Sequence, residues 1–384
     1  MPELFAAQEA IERAKRWLTG DALPLWGTIG FDAVNGRFFD GLDLNGRPLQ
    51  DAAQSVMLQG RQIYVYAHAA LLGWYPPGRV LVRTAVQSML KDFRGSERSA
   101  GFVYSITRDG RVADDLRDTS AHAFALLGLA WAYRLLGDNY LLDAADRTIA
   151  YLDGVLPAAN GGGYAESIPA TDALRRQRSH MHLFEAFMAL DAAAPGRGYL
   201  DRATGIYNLF RTHFFEPKTH IVTEYMDAGL KPLPGERGQI FEPGHSFAWV
   251  WLLRAYAAAA EVNVDRFADA LDAKALAAGF ATNGAIYDEV FSGGTPHKHT
   301  HRLWPHAGAA KAAAAQHRAG RPGCARRAAA MLDVLMDRFA GGAAPGGWVD
   351  QTNASGWPLV QSIPASSLSH LVGAVAACDA VFGG

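Results

Sequence analysis

A basic side chain recurs along this chain at intervals of 60 to 64 residues, six times in all. Each copy stands where a Gly/Pro-rich stretch gives way to an apolar, Ala-rich run, as in GHSFAWVWLLRAYAAAA. A fixed long period is the signature of a repeated supersecondary unit whose neighbours share one core. Six units that each aim a base or a cation from a corresponding place predict a closed ring of helices with a polar centre. The six residues are Arg61, His122, His182, His245, His306 and His370.

Twelve helices are predicted from apolar residues three and four apart and from Gly/Pro stops. The even-numbered segments are rich in Ala, Gly and aromatic residues and poor in charge. Because a helix that is apolar nearly all round is buried, these segments should form an inner ring, with the odd-numbered ones outside. The pattern predicts an all-α protein, an (α/α)6 barrel of six helical hairpins in a single domain, 1–384. The segments are 4–18, 52–73, 79–94, 119–136, 139–154, 172–193, 198–213, 243–261, 264–278, 305–319, 321–340 and 364–381.

The connections between these helices differ in length by position. Those that follow an inner helix are short, such as WYPPG, LGDN and EVNV, whereas those that follow an outer helix are long and Gly-rich. Two long connections, GFVYSITRDGRV and HIVTEYMDAGLKPL, alternate around Asp-Gly or Ala-Gly and predict short β-hairpins. Long loops gathered on one face of a rigid scaffold commonly carry function. We therefore expect the site on that face.

Charge and composition exclude several classes of protein. The 36 Lys and Arg residues nearly balance 38 Asp and Glu, with no basic block, so neither nucleic-acid binding nor binding to an anionic membrane surface is expected. The N-terminal segment lacks the features of a signal peptide, and Arg254 interrupts the best apolar run, so no membrane span is expected. The two cysteines, Cys324 and Cys378, should be reduced. We expect a cytoplasmic protein that is a monomer or a homodimer.

Segments spread over essentially the whole chain resemble the N-acylglucosamine 2-epimerase superfamily, which includes mannose isomerases and cellobiose 2-epimerases. HRLWP, GGWVDQ, and IPAS followed by a histidine are most similar to the mannose-isomerase branch. The resemblance implies a small sugar, such as a monosaccharide, as the substrate. The segments that carry it are GFDAVNGRFFDGLDLNGRPL, RQIYVYAHA, RDGRVADDLRDTSAHAFALLGLAWAY, MHLFEAFMAL, EPGHSFAWVWLL, HRLWPHAGAAKA, GGWVDQ and IPASSLSHLVGA.

The resemblance also implies site residues. In this family a pair of histidines flanks C2 of the sugar, and by motif these match His245, after Glu-Pro-Gly, and His370, after Ile-Pro-Ala-Ser. The third site histidine of the family matches His182, and its sugar-binding arginine matches Arg61. His245 and His370 are thus the expected catalytic pair, and Arg61 and His182 are expected to bind the substrate.

Five further residues are candidates for substrate binding, each with a structural alternative. Glu185 stands one helical turn after the third histidine and could orient its ring, or could simply be a helix-facing acid. His122 could serve the site or the core, and His306 stands where the family carries another polar residue. Trp249 and Trp304 could line the sugar site or belong to a ring of packing aromatic residues.

Several positions depart from the family pattern. Ala248 stands in place of the acid in GHxxEW, Gly308 in place of a second acid, and Arg178 in place of an Asn before the third histidine. Arg178 belongs to a basic cluster with Arg175 and Arg176, which could receive an anionic sugar or form a solvated helix start. The histidine scaffold is therefore retained while the polar partners around it are changed.

The expected chemistry is the interconversion of an aldose and a ketose of the mannose–fructose type. Such isomerisation needs a base to remove the proton from a carbon next to a carbonyl and an acid to serve the oxygen, and histidine suits both tasks near neutral pH. Hydrogen bonds can hold the enediolate, so no metal and no cofactor are expected.

Other functions stay open at this stage. Two histidines on opposite faces of C2 could return the proton to the other side, which would make the protein a 2-epimerase of the N-acylglucosamine or cellobiose type. The missing family acids also leave a sugar-binding pseudoenzyme as an alternative. A glycosidase or lyase is disfavoured, because hydrolysis calls for two facing carboxylates. The alternating histidines of HKHTH could bind a transition metal, although a solvated loop is the simpler interpretation.

Overall fold

The structure of the protein is a computed structural model that describes residues 2–94, 101–342 and 344–383. Twelve long helices and one short one run through these residues. The first, eighth and twelfth continue through π-helical turns, Leu18–Ala22, Phe210–Phe214 and Leu335–Phe339. The helices are α1 (Pro2–Trp17), α2 (Leu23–Thr28), α3 (Val56–Leu71), α4 (Gly78–Asp92), α5 (Thr119–Leu136), α6 (Tyr140–Val155), α7 (Gln177–Ala193), α8 (Tyr199–Leu209), α9 (Pro243–Ala260), α10 (Asp265–Ala278), α11 (Leu303–Arg318), α12 (Cys324–Val334) and α13 (Leu368–Phe382).

Six helices pack side by side in a closed inner ring. The order around the ring is α3, α5, α7, α9, α11 and α13, and α13 returns to α3. The remaining long helices pack against the outside of the ring. Helices α3 and α5 pack closely where Gly60 faces Gly128. A side chain does not fit at this contact, since a Cβ on Gly60 would lie 2.1 Å from the Phe124 carbonyl oxygen. The predicted (α/α)6 barrel is confirmed.

Some inner helices begin later than the sequence pattern predicts. Helix α3 begins at Val56 rather than at residue 52, and α7 begins at Gln177 rather than at residue 172. In both cases the preceding two residues are extended and pair with a strand of another loop. The Ser55 side chain then caps α3 by accepting a hydrogen bond from the Leu58 amide.

The long loops are joined to one another by short strands. Each strand that leads into an inner helix pairs with a strand of the loop before the next inner helix. The last of these pairs joins the loop before α13 to the loop before α3, which closes the ring. The pairs are Gln54–Ser55 with Ser105–Ile106, Arg117–Asp118 with Ser167–Ile168, Arg175–Arg176 with Tyr225–Met226, Ile240–Phe241 with Glu289–Phe291, His301–Arg302 with Gln351–Thr352, and Ser362–Pro364 with Gly41–Asp43. The inner helices therefore all begin at one face, beneath a closed ring of loops.

Four hairpins complete the loop face. They pair Phe31–Asp32 with Arg37–Phe38, Ser105–Ile106 with Val112–Asp114, Phe215–Glu216 with Ile221–Val222, and Glu289–Phe291 with Pro296–Lys298. The second is the hairpin predicted around Asp109-Gly110. In the other predicted turn, around Ala228-Gly229, Met226 forms a bridge with Pro232.

One segment, Ala365–Phe382, is long and apolar enough to cross a membrane by length and composition. The segment includes Asp379, so it is apolar on average rather than uncharged throughout. The segment contains α13, which packs in the inner ring between α11 and α3, and most of its residues are buried. A buried core helix has the same composition as a membrane span, so the run is only a weak indication of one.

Candidate active site

The inner helices surround a cavity of about 440 Å³ that opens toward the loop face. This volume is within the range of small-molecule sites. The structure brings six of the nine predicted site residues to its wall, and they are Arg61, His182, Glu185, His245, Trp304 and His370. Ala248 and Gly308, the two positions where the family carries acids, also line it.

His370 lies against the guanidinium group of Arg61. The Arg61 Nη1 atom is 3.0 Å from His370 Nε2, and the guanidinium stacks on the Phe124 ring at 3.9 Å. Because arginine can only donate, Nε2 accepts this hydrogen bond and the ring proton resides on Nδ1. Burial, and then the positive charge of Arg61, lower the pKa of His370 well below its ordinary value. His370 is therefore a neutral imidazole at pH 7.

His245 has the opposite surroundings. Its Nδ1 lies 3.0 Å from both carboxylate oxygens of Glu224 and 3.7 Å from a carboxylate oxygen of Glu242. Burial alone would lower the pKa of His245, but the two carboxylates outweigh burial and raise it to about 9. Burial has the opposite effect on the Glu242 carboxyl group, and it raises the pKa of this group to about 7. His245 is therefore an imidazolium at pH 7, held against the Glu224 carboxylate.

Glu224 is fixed in place by a chain of buried polar groups. The Gln177 side-chain amide donates to Glu224 Oε2 at 3.0 Å, and the Trp249 indole donates to Gln177 Oε1 at 2.7 Å. Trp249 is fully buried and packs between Phe184 and Phe210, so it does not line the cavity. The prediction that Trp249 binds the substrate is corrected: through Gln177 it positions the Glu224 carboxylate that contacts His245.

Trp304 stands between the two histidines. Its ring centroid is 5.0 Å from the His245 ring and 6.0 Å from the His370 ring. The two imidazoles are thus no farther apart than the sum of these distances, which a monosaccharide can bridge through its oxygens. Trp304 lines the cavity, as predicted, and offers a flat apolar surface on which a sugar ring can stack.

A partly buried ion pair lies deeper in the cavity, on the third turns of α7 and α11. Lys311 Nζ is 3.9 Å from Glu185 and 3.2 Å from the centre of the Trp251 ring. Glu185 also lies 3.9 Å from His182 Nδ1, which is too long for a hydrogen bond. Burial, the largest effect, lowers the pKa of His182 to about 4, so this ring is neutral. The expected Glu185–His182 contact is present but long.

Two of the six periodic residues do not reach the cavity. His122 Nε2 accepts a hydrogen bond from the Phe102 amide at 2.9 Å, and its Nδ1 is 2.7 Å from the Asp118 carbonyl oxygen. His306 does the same with the Ile286 amide, at 2.9 Å, and the Arg302 carbonyl, at 2.8 Å. Both ring nitrogens of each buried histidine are used by the main chain. The prediction that His122 and His306 bind the substrate is therefore corrected: they fasten loops to inner helices.

This structural role predicts a large stability effect at His306. Replacing His306 with alanine leaves the buried Ile286 amide without an acceptor and opens a cavity, so we expect a loss of about 2–4 kcal/mol in the free energy of unfolding. Urea unfolding of the variant and the wild type measures it.

The same histidine predicts a pH dependence of stability. Burial lowers the pKa of folded His306 to about 3, below the usual value of an unfolded histidine. The folded protein is therefore stabilised by neutral His306 above about pH 6.5, and this stabilisation is lost as the pH falls toward 3. The variant should show a weaker acid dependence over this window; an unchanged unfolding midpoint at pH 7 would contradict the role.

Sequence reasoning missed the acids around His245. Glu242 directly precedes the Pro-Gly-His motif, so its position was visible, whereas Glu224 lies in a loop with no periodic signal. The carboxylate oxygens of Glu224 and Glu242 and a His245 nitrogen all lie within 4.8 Å of one another, a set that could hold a metal ion.

In the HKHTH segment, His301 is buried with its Nδ1 against the Ile286 carbonyl, whereas His297 and His299 are exposed. These three histidines do not form a common site.

The described residues form an (α/α)6 barrel with a polar cavity at its centre, and the comparisons with known proteins identify its family. The sequence profile of the N-acylglucosamine 2-epimerase (GlcNAc 2-epimerase) family matches residues 36–374. The chain is 31% identical over 376 residues to a mannose-6-phosphate isomerase of Rhizobium meliloti (strain 1021), covering 94% of each chain. It is 28% identical over 230 residues to a D-mannose isomerase of Thermobifida fusca, covering 56% of this chain and 55% of the relative.

A solved structure shows the same fold. A cellobiose 2-epimerase from Bacillus thermoamylovorans B4167 superposes with a TM-score of 0.86 at 16% identity, covering 97% of this chain and 99% of that one. The chain belongs to the N-acylglucosamine 2-epimerase family, and it is an enzyme of the isomerase and epimerase type.

Proposed function

We propose that the protein interconverts an aldose and a ketose of the mannose–fructose type, with His370 as the base and His245 as the acid. Relatives named as mannose isomerases support the aldose–ketose reaction. The observation that carries the proposal is the unlike surroundings of the two histidines. His370 lies against a cation, and His245 lies against two carboxylates.

These surroundings divide the work of proton transfer. An arginine beside an imidazole favours the neutral form, which has a lone pair to accept a proton, and carboxylates favour the imidazolium, which has a proton to give. Pairs of titratable groups whose pKa values are pushed apart mark the acid and the base of a site. A base near C2 and an acid near O1 are the two groups that 1,2-isomerisation requires.

The reaction follows in two steps, each with two proton transfers. His370 removes the proton from C2 of the open-chain aldose while His245 protonates O1, which gives the enediol. His370 then returns its proton to C1, and the O2 hydroxyl gives its proton back to His245 as the ketone forms. Atoms and charges balance, and both histidines return to their starting states. Arg61 can turn its N–H groups from His370 to the sugar oxygens and stabilise negative charge that develops there.

The alternatives receive less support. Epimerisation at C2 would use the same neutral base and protonated acid on opposite faces of C2, so the preference for isomerisation rests on the relatives named as mannose isomerases. A retaining or inverting glycosidase needs two carboxyl groups facing the scissile bond. Here Glu185 is held by Lys311, and Glu224 and Glu242 surround His245. A binding protein without activity has no need for the contrast between the two histidines.

Proton NMR in heavy water tests the proposal. Mannose and fructose, each offered separately, should interconvert, and the product should carry deuterium at the exchanging carbon whenever the proton on His370 exchanges with solvent before it is returned. Glucose should form more slowly than fructose from mannose.

The reaction is repeated after treatment with EDTA, where we expect undiminished activity because hydrogen bonds and histidines supply the chemistry. Loss of activity that one divalent ion restores would instead assign a metal to the Glu224, Glu242 and His245 cluster.

A further inference from the structure

Two arginines stand at the rim of the cavity. Arg178 lies on the first turn of α7 and is exposed, and Arg302 directly precedes α11 with 43% of its side chain exposed. Both line the cavity. Because α7 and α11 are the two ring neighbours of α9, these arginines flank the helix that carries His245.

Only one member of the basic cluster on α7 faces the sugar site. Arg175 is buried and donates to main-chain carbonyls, among them that of Gly162 at 2.8 Å. Arg176 forms an ion pair with Asp172 at 2.5 Å on the outside. Arg178 makes no ion pair within the described part of the chain, yet its charge is close enough to lower the pKa values of both Arg61 and His245. It also stands where the resemblance to the family implies an asparagine, which is uncharged.

Arg302 is only weakly paired. Its nearest carboxylate, that of Asp288, is 4.0 Å away. That carboxylate already accepts hydrogen bonds from the Thr300 hydroxyl, the Gln351 side-chain amide and the Arg302 main-chain amide. Two guanidinium groups therefore face the mouth of the cavity with donors to spare.

The acids of the cavity do not neutralise this rim. Glu185 is paired with Lys311 and Glu242 faces His245, as described above. The Asp350 carboxylate accepts a hydrogen bond from the Ser367 hydroxyl, and burial raises its pKa. Among the described residues, Arg178 therefore has no ion-pair partner, and Arg302 has only the 4.0 Å contact with the Asp288 carboxylate.

We infer that the mouth is a subsite for an anionic group on the sugar, a phosphate or a sulfonate at the end remote from C1 and C2. This inference rests on the proposed function, which places C1 and C2 at the histidines and directs the far end of a hexose toward Arg178 and Arg302. Guanidinium groups bind tetrahedral oxyanions through paired, charge-assisted hydrogen bonds. The first turns of the surrounding inner helices, whose amide groups carry partial positive charge, add to the same field.

The test compares phosphorylated and unphosphorylated sugars in Arg178→Asn, which restores the family residue. Mannose 6-phosphate, a hexose 6-sulfonate and mannose are assayed for isomerisation by the wild type and the variant. We expect the wild type to prefer an anionic sugar and the ratio of kcat/KM for that sugar over mannose to fall about 10- to 100-fold in the variant, mostly through KM. Which of the two anionic sugars loses more identifies the anion. Arg176→Asn is the matched control, since it removes the same charge two residues away outside the cavity.

Two results would overturn the subsite: a ratio that does not fall in Arg178→Asn, or one that falls equally in Arg176→Asn. Calorimetry with mannose 6-phosphate separates this inference from the proposed function. Weaker binding by Arg178→Asn than by the wild type, without turnover by either protein, would support the anion subsite and refute the isomerase proposal. Wild-type isomerisation of mannose that prefers the uncharged sugar would do the reverse.

Discussion

Replacing His370 with alanine should lower kcat for aldose–ketose interconversion by about 10²–10⁴-fold, the usual contribution of a positioned general base. The reason is that His370 is the neutral imidazole in the proposed pair, with its Nε2 lone pair held 3.0 Å from Arg61. Its removal leaves the C2 proton without an acceptor, while Arg61 and Trp304 can still bind the sugar. Steady-state kinetics on both sugars, together with deuterium incorporation, measures the effect.

His182→Ala is the matched control for this prediction. It removes another neutral imidazole from the same cavity, but one without a role in the proposed proton transfer. We expect its effect to be mainly on KM, with kcat reduced far less than in His370→Ala. Added imidazole should restore part of the activity of His370→Ala and none of any loss in His182→Ala. If His370→Ala keeps wild-type deuterium exchange, another group is the base.

The barrel was predictable because its helices repeat, but the repeat could not tell which side chains reach the cavity. Two residues along a helix turn the side chain by about 200°, to nearly the opposite side. Helix α7 shows the effect over two residues. His180, its fourth residue, accepts a hydrogen bond from the Tyr164 amide at 3.0 Å, whereas His182, its sixth, lines the cavity. His122 and His306 are also fourth residues of their helices and face the loops.

The family motifs identified four cavity residues that the spacing of about 60 residues could not single out. Arg61, His182, His245 and His370 were matched by their neighbours in sequence, and all four line the cavity. What could not be predicted is the pairing between distant loops and helices. Glu224 reaches His245 because the strand Tyr225–Met226 pairs with the strand that leads into α7, which fixes the loop beside α9.

The acid that sequence reasoning missed leads to the second large prediction. Glu224→Gln should lower kcat/KM at pH 8 by about 10²-fold or more, because the carboxylate holds His245 in the orientation and the protonated state that an acid needs. In the wild type the pKa of His245 is raised to about 9, so activity should hold through neutral pH and fall as the pH rises through 9. Without the Glu224 charge the imidazolium loses its main stabilising partner, and the fall should begin at lower pH. The pH profile of kcat/KM measures both effects.

Glu242→Gln is the matched variant with which the shift of the alkaline limb in Glu224→Gln is compared. Glu242 lies farther from His245 Nδ1 than Glu224 does, at 3.7 Å against 3.0 Å, and the pKa of its own carboxyl is raised to about 7. Because Glu242 is the more distant of the two carboxylates, its removal should shift the alkaline limb less than Glu224→Gln does. A general loss of folding would lower activity at every pH alike and leave the limb in place. If Glu224→Gln keeps its alkaline limb near pH 9, the group that titrates there is not His245, and the acid in the reaction must be sought among the other cations of the cavity, Lys311 first.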